Sequence, residues 1–377
     1  MTNDGTAPDL SRLALQFPAE FATILLAGMQ DTLSKTLIIR FSSVGDIILS
    51  SPLVRALHRT FPDMHLDYLV KDEYADLVRH LPHVDRVIPF TSRRGFAELL
   101  AVRRLVKSGG YDAVLDIHDS VRSRFICFGI PRVTRINKRK FARYALIHWK
   151  RNWYATFGGA PDVSARYIET ASRYGVRDDG DPAAFEVPAE AVREARLRLD
   201  GITTPAVGIC PAARHATKIW PAQKYAEAAR ALAARTGSAV LLFGSADEIR
   251  LCNSIRGMIT KIDPSIDVRN LAGATTLAQT AALMDACGII LTNDTGLMHL
   301  ATTRRKPVVA IFGSTVREFG FFPRGESSAV VERTDLACRP CTHIGLAECP
   351  LKHFRCMNDL SVEDVTQAAY KLLGLHA

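Results

Sequence analysis

The strongest constraint in this sequence is a rhythm. Short apolar runs rich in Val and Ile alternate with longer amphipathic segments, and the pattern occurs in both halves, which is the sequence sign of parallel sheets joined by crossover helices. Strands are expected at Thr36–Phe41, Leu66–Val70, Arg86–Phe90 and Ala113–Ile117, then again at Ala206–Cys210, Ala239–Phe243, Gly288–Thr292 and Val308–Phe312. Segments such as Ala222–Arg235 read as helices between them. Gly175–Pro188 carries Gly, Pro and acids without periodicity and reads as the linker, after which Pro205 opens the second unit. At 377 residues the chain exceeds what one hydrophobic core usually organises, so two α/β domains are expected. The expected division is an extension over 1–35, a first domain over 36–180, a linker region over 181–205, a second domain over 206–355 and a closing segment over 356–377. Its final helix is signalled by Ser361 as cap, by Asp364 at the capping-box distance, and by Val362, Val365, Ala369 and Leu372 on one face.

Charge narrows the partners. With a net charge of +9, the chain suits an anionic partner, whether acidic lipid, phosphorylated sugar or nucleic acid, or else presents a plain solvated basic surface. We find no block of Lys and Arg interleaved with aromatics that would mark a nucleic-acid module, so none is expected. The first residues carry Asp4 and Asp9 rather than a basic leader, and a cytoplasmic location follows as an expectation. Phe21–Met29 is far shorter than the roughly 20 residues that span a bilayer; it lies either on a membrane or, as we expect, on its own domain.

Three segments carry chemistry. Phe41-Ser42-Ser43-Val44-Gly45-Asp46 follows the first strand, where ligands gather in open α/β sheets; Asp46 serves either as a base or as the cap of the next helix. Pro52 fits the first turn of a helix after Ser51, or marks a kink if the helix begins earlier. The second segment, Pro211 to Pro221, offers Arg214, Thr217 and Lys218 to a phosphate whose charge grows as it leaves, or is a basic loop anchored by Trp220. In the third, Thr292-Asn293-Asp294-Thr295-Gly296-Leu297-Met298-His299-Leu300-Ala301, a strand runs into a Gly-containing turn and a helix start whose free N–H groups suit a diphosphate. Asp294 is alternatively only the helix cap, and His299 only a packed side chain.

In this order and spacing the segments resemble the ADP-heptose:lipopolysaccharide heptosyltransferases, glycosyltransferase family 9. Tyr111-Asp112-Ala113-Val114-Leu115-Asp116 and Thr217-Lys218-Ile219-Trp220-Pro221 add to the match, which runs from about Thr36 to the C-terminus. The resemblance implies a GT-B fold, two Rossmann-like domains facing a cleft, with a last helix that crosses back to the N-terminal domain. It implies metal-independent, inverting transfer of heptose from ADP-heptose to a lipopolysaccharide inner-core acceptor. The enzyme would then meet an anionic lipid-linked saccharide, peripherally at the cytoplasmic face of the inner membrane. Asp46 would be the base and Lys218 would steady the diphosphate. Asp294, Thr295, Gly296 and His299 would hold the donor with Thr217 and Arg214, while Ser42, Ser43 and Gly45 would face the acceptor. Arg122 and Arg124, in the loop after a first-domain strand, are the expected acceptor cations. Two departures stand out: Ala213 and Arg214 replace a Thr pair of some relatives, and the acid near the ribose is unassigned, with Asp247 or Glu248 available.

Cys338, Cys341, Cys349 and Cys356 crowd one short segment and could hold a structural Zn or Fe ion, or remain reduced thiols. No Gly-x-Gly-x-x-Gly follows the early strands, which disfavours a dinucleotide oxidoreductase. Asp179-Gly180-Asp181 has the Asp-x-Asp form of metal-dependent transferases but sits in the linker. The competing readings are another nucleotide sugar, a protein acceptor, and a nucleotide-sugar binder without turnover.

Overall fold

The computed structural model describes residues 32–375, apart from Ser92, Arg94 and the side chain of Phe157. The stretch Phe21–Met29 lies outside the described residues. Two parallel sheets are formed. The first contains β1 (Lys35–Ile39), β2 (His65–Lys71), β3 (Arg86–Phe90), β4 (Ala113–Asp116) and β5 (Val133–Arg135), in the order β3-β2-β1-β4-β5. The second contains β6 (Ala206–Cys210), β7 (Val240–Leu242), β8 (Val268–Asn270), β9 (Cys287–Asn293), β10 (Val308–Phe312) and β11 (Ser328–Glu332), in the order β11-β10-β9-β6-β7-β8. Strands β4, β6 and β10 are buried along their whole length, as continuous apolar runs between two helical layers must be. The strands not foreseen, β5, β8 and β11, are all sheet edges. They are short or only half-buried, so the apolar pattern that reveals a central strand is absent from them.

Each sheet reverses its strand order between its first strand and a later one, β1 beside β4 and β6 beside β9. A crevice opens at the carboxyl ends of such a pair, where the flanking crossovers diverge to opposite faces. Helices α1 (Val44–Ile48), α3 (Lys140–Trp149), α4 (Val163–Ile168) and α6 (Gly296–Thr303) frame the site, while α2 (Ser51–Thr60), α5 (Ala189–Arg198) and α7 (Val362–Leu373) lie outside it. Pro52 occupies the first turn of α2.

Two expectations about connections change. The stretch 181–205 is no plain linker: α5 lies within it and sets Ala191 and Ala195 against the second domain's helix Leu277–Asp285. The closing helix α7 has the expected capping box, but it stays on the second domain, against the helix Ala222–Thr236, β10 and β11. The reason is its apolar stripe: Val365 and Ala369 join the cluster that holds Trp220, Tyr225 and Leu232. The Asp-x-Asp run is structural, because Asp179 accepts a two-pronged contact from Arg55 and a further one from Arg59. Contacts between the domains include Arg324, which pairs with both Asp162 and Asp178, and α1 against α6.

Candidate active site

Arg40 continues the β1 ladder and then turns its guanidinium across the crevice. It donates to the Ser42 and Ile117 carbonyls and meets Asp46 at 2.7 Å. Asp46 is the third residue of α1 and closes a capping box with Ser43, whose hydroxyl donates to it at 2.9 Å; the Tyr167 hydroxyl donates to its other oxygen at 3.2 Å. The capping and the site-facing readings of Asp46 therefore hold together. Burial alone would raise this carboxyl, but Arg40 and Ser43 outweigh it and leave its pKa below the usual carboxylate value. Asp46 stays ionised and in place.

Across the cleft, Lys218 stands at the end of a short turn whose position is set from behind. The Trp220 N–H donates to the Asn293 side chain, which in turn donates to the Pro211 carbonyl, tying the loop after β6 to the end of β9. The Lys218 ammonium meets Asp294 at 2.7 Å, and the Thr315 hydroxyl donates to the same carboxylate oxygen. Asp294 is thus the anchor of the lysine rather than the helix cap; Thr295 takes the cap position and makes no side-chain capping bond. Thr295 and Gly296 at the α6 start line the cavity, and the first-turn N–H groups there receive no side-chain cap. Burial lowers His299 to about 4, so the ring is neutral, and its Nδ1 has no hydrogen-bond partner.

These groups line a cavity of about 410 Å³ with Ser43, Gly45, Tyr74, Arg214, Thr295 and Gly296. A second cavity, about 310 Å³, is lined by Arg40, Lys138, Lys140, Arg143, Arg166 and Tyr167. Asp46, His343 and Phe321 belong to both, so the cavities meet at the Asp46 carboxylate. One lobe carries a helix start and an anchored lysine; the other concentrates cations around a single acid.

Several expected residues take other places. Thr217 is buried and its hydroxyl is occupied by Leu346 and Ser314, so it lines the cysteine cavity rather than the Lys218 lobe. Ser43 and Gly45 line the Lys218 lobe, and Ser42 lines neither. Arg122 is exposed and Arg124 is drawn to Asp119; neither lines a lobe. Glu248 caps its own helix through Ser245, and neither it nor Asp247 lines the cleft. Sequence reasoning missed Lys138, Arg143, Arg166, Tyr167 and His343. The first two sat in plain view as a Lys/Arg run after β5, a strand that had itself gone unrecognised.

Gly45 and Gly296 face each other where α1 meets α6. A Cβ on Gly296 would stand 3.0 Å from the Val44 Cβ, and one on Gly45 would stand 2.8 Å from the His299 ring. A side chain at Gly296 would therefore press on Val44 of the opposite domain.

The four C-terminal cysteines line one cavity of about 250 Å³ together with His353. Backbone N–H groups around Leu351–Phe354 lower the Cys349 thiol despite its burial. Among the described residues, however, no three His, Cys, Asp or Glu side chains are gathered closely enough to hold an ion.

Two parallel sheets that turn their crevices toward one divided cleft define the GT-B class of glycosyltransferase, and comparison narrows the class. The family model for glycosyltransferase family 9 (heptosyltransferase) matches residues 99–352. The lipopolysaccharide heptosyltransferase 2 of Salmonella typhimurium is 31% identical over 297 residues, 76% of this chain and 84% of that protein. Among solved structures, an E. coli ADP-heptose lps heptosyltransferase II aligns with a TM-score of 0.67 and 26% identity over 90% of this chain and 98% of that one. A glycosyl transferase family 9 protein of Veillonella parvula aligns with a TM-score of 0.73 at 20% identity, over 90% and 97%. The chain belongs to glycosyltransferase family 9.

Proposed function

We propose that this enzyme transfers a heptose from ADP-heptose to an anionic, lipid-linked lipopolysaccharide core acceptor with inversion at the sugar carbon. The observation that carries the reading is the meeting of the two lobes at Asp46. The diphosphate lies at the α6 start beside Lys218, with Arg214 at the rim, and the acceptor's anionic groups lie among Lys138, Lys140, Arg143 and Arg166.

In this geometry an acceptor hydroxyl attacks the anomeric carbon as its bond to the diphosphate oxygen breaks. The hydroxyl proton passes to Asp46, and the bonding electrons leave with ADP, whose growing charge is stabilised by Lys218 and the helix N–H groups. A carboxylate held low by Arg40 is a weak base. It suits a late proton transfer, when the sugar carbon already bears positive charge and the attacking hydroxyl has become acidic. Lys218 supplies the positive charge at the leaving group, which supports transfer without a divalent ion.

A mass-spectrometric transfer assay with ADP-heptose and a panel of core acceptors tests the reading. Addition of one heptose is expected. Turnover only with another nucleotide sugar, or only onto protein, overturns it, as does ADP binding without any transfer.

The tail cysteines make a separate proposal. Four thiols on one cavity, one of them lowered by backbone N–H groups, suit a structural Zn or Fe ion that would have to draw the sulfurs together on binding. Elemental analysis of protein purified without added metal should give about one equivalent, lost in a Cys338→Ser/Cys341→Ser variant. Less than about a tenth of an equivalent in the parent ends the idea.

A further inference from the structure

Helix α3 is oriented against the usual logic of an amphipathic helix. Ala142, Ala145 and Leu146 turn inward, while the large rings turn to solvent: Phe141, Tyr144 and Trp149 are 53%, 51% and 50% exposed. The rings form one cluster, with Phe141 and Trp153 centroids 5.4 Å apart, and Trp149 at 5.6 Å from both Trp153 and Tyr144. Single exposed apolar residues need no explanation, but a contiguous aromatic patch does.

The surrounding charge is as one-sided as the patch is apolar. Between Ser120 and Pro161 there are ten Lys and Arg and no Asp or Glu, in a chain whose whole net charge is +9. Lys150 is fixed at the patch by the Cys338 and Pro340 carbonyls, and Arg151 is exposed beside it; the acid at the border, Glu318, accepts from Asn152. The same helix sends Lys140 and Arg143 into the acceptor lobe. The aromatic face is therefore continuous with the cavity that we assign to the acceptor saccharide.

We propose that α3 with Trp153 docks the enzyme onto an anionic bilayer, setting the acceptor lobe at the level of the lipid headgroups. The inference rests on the reading of the acceptor as lipid-anchored. Rings with polar edges settle at the headgroup level, and each basic side chain near an anionic surface strengthens binding by roughly fivefold. Charge complementarity selects an anionic over a neutral membrane. Continuity with the acceptor lobe selects a bilayer over nucleic acid, because the lipid end of the acceptor must leave that lobe toward the patch.

Full-length protein should co-sediment with phosphatidylcholine vesicles containing about a third phosphatidylglycerol, at least tenfold more tightly than with pure phosphatidylcholine. Its tryptophan emission should shift to the blue and be quenched by brominated lipid. Phe141→Ser/Trp149→Ser and, separately, Arg151→Glu should weaken vesicle binding about tenfold or more. Both should leave transfer to a deacylated, water-soluble core acceptor unchanged and slow transfer to the same acceptor embedded in vesicles. Vesicle binding that is absent, or unaffected by these variants, overturns the docking surface even if soluble transfer is intact. So does tighter binding to single-stranded DNA than to the anionic vesicles, or a self-association abolished by the Trp149 change. Vesicle binding as expected without transfer to either acceptor leaves the surface standing and removes the proposed reaction.

Discussion

Asp46 holds several contacts at once, and this decides what its replacement would do. Asp46→Asn keeps the shape but removes the charge that Arg40 and the acceptor proton both need; kcat should fall roughly 10²-fold or more with ADP affinity nearly unchanged. The variant should also lose about 1–3 kcal/mol of stability, since a largely buried guanidinium is left without its counter-charge. The sign of the pH dependence follows from a folded-state pKa below the unfolded one. The carboxylate contributes its full stability above the unfolded value near 3.9 and loses it as pH falls through the lower folded value. The stability gap between parent and variant should be flat from about pH 8 to 5 and close only in stronger acid; a gap closing near pH 6 would mean that the carboxyl is not held by Arg40. Lys218→Ala should lower both kcat and ADP affinity, measured by turnover and calorimetry, while unchanged values would make the Lys218–Asp294 pair purely structural. Asp46 and Lys218 stood out in the sequence because strand ends advertise themselves by apolar runs. Their partners did not: nothing in the residues around Tyr167 or Thr315 says which carboxylate they reach, since those contacts exist only once distant segments meet.

At the level of elements, the critical contact is α1 on α6. Gly296→Val should weaken ADP binding strongly. Because the added atoms would meet Val44, it should also lower Tm and weaken whatever requires the domains to close. His299→Ala should lower ADP affinity less and leave Tm nearly unchanged. Equal ADP affinity in parent and Gly296→Val protein would remove α6 from the donor site. The central strands and α7 were readable because apolar periodicity and capping are local signals. The edge strands β5, β8 and β11, α5 and the placement of α7 were not, because those three strands are short or only half-buried and a helix does not declare its partner; the edge strand β3, which buries Ile88 and Phe90, was readable. The sequence reading found no block of Lys and Arg interleaved with aromatics, yet Lys140–Trp153 is such a stretch, and the fold turns its rings Phe141, Tyr144 and Trp149 outward.

At the scale of the whole molecule, the two domains are joined by an apolar core that spans both and by polar contacts that include Arg324 across to Asp162 and Asp178. Arg324→Ala should cost about 1–2 kcal/mol after solvent screening, and small-angle scattering should show a larger radius of gyration that ADP reduces. An unchanged radius with and without ADP would place the restraint elsewhere. The bare backbone meeting of Gly45 and Gly296 has a consequence for inheritance. A side chain at either position requires Val44 or His299 to give way, so changes in the two domains are coupled at this point. A genetic selection starting from Gly296→Ala should recover Val44→Gly, a suppressor lying some 250 residues away along the chain and removing the Cβ that the lesion meets in space.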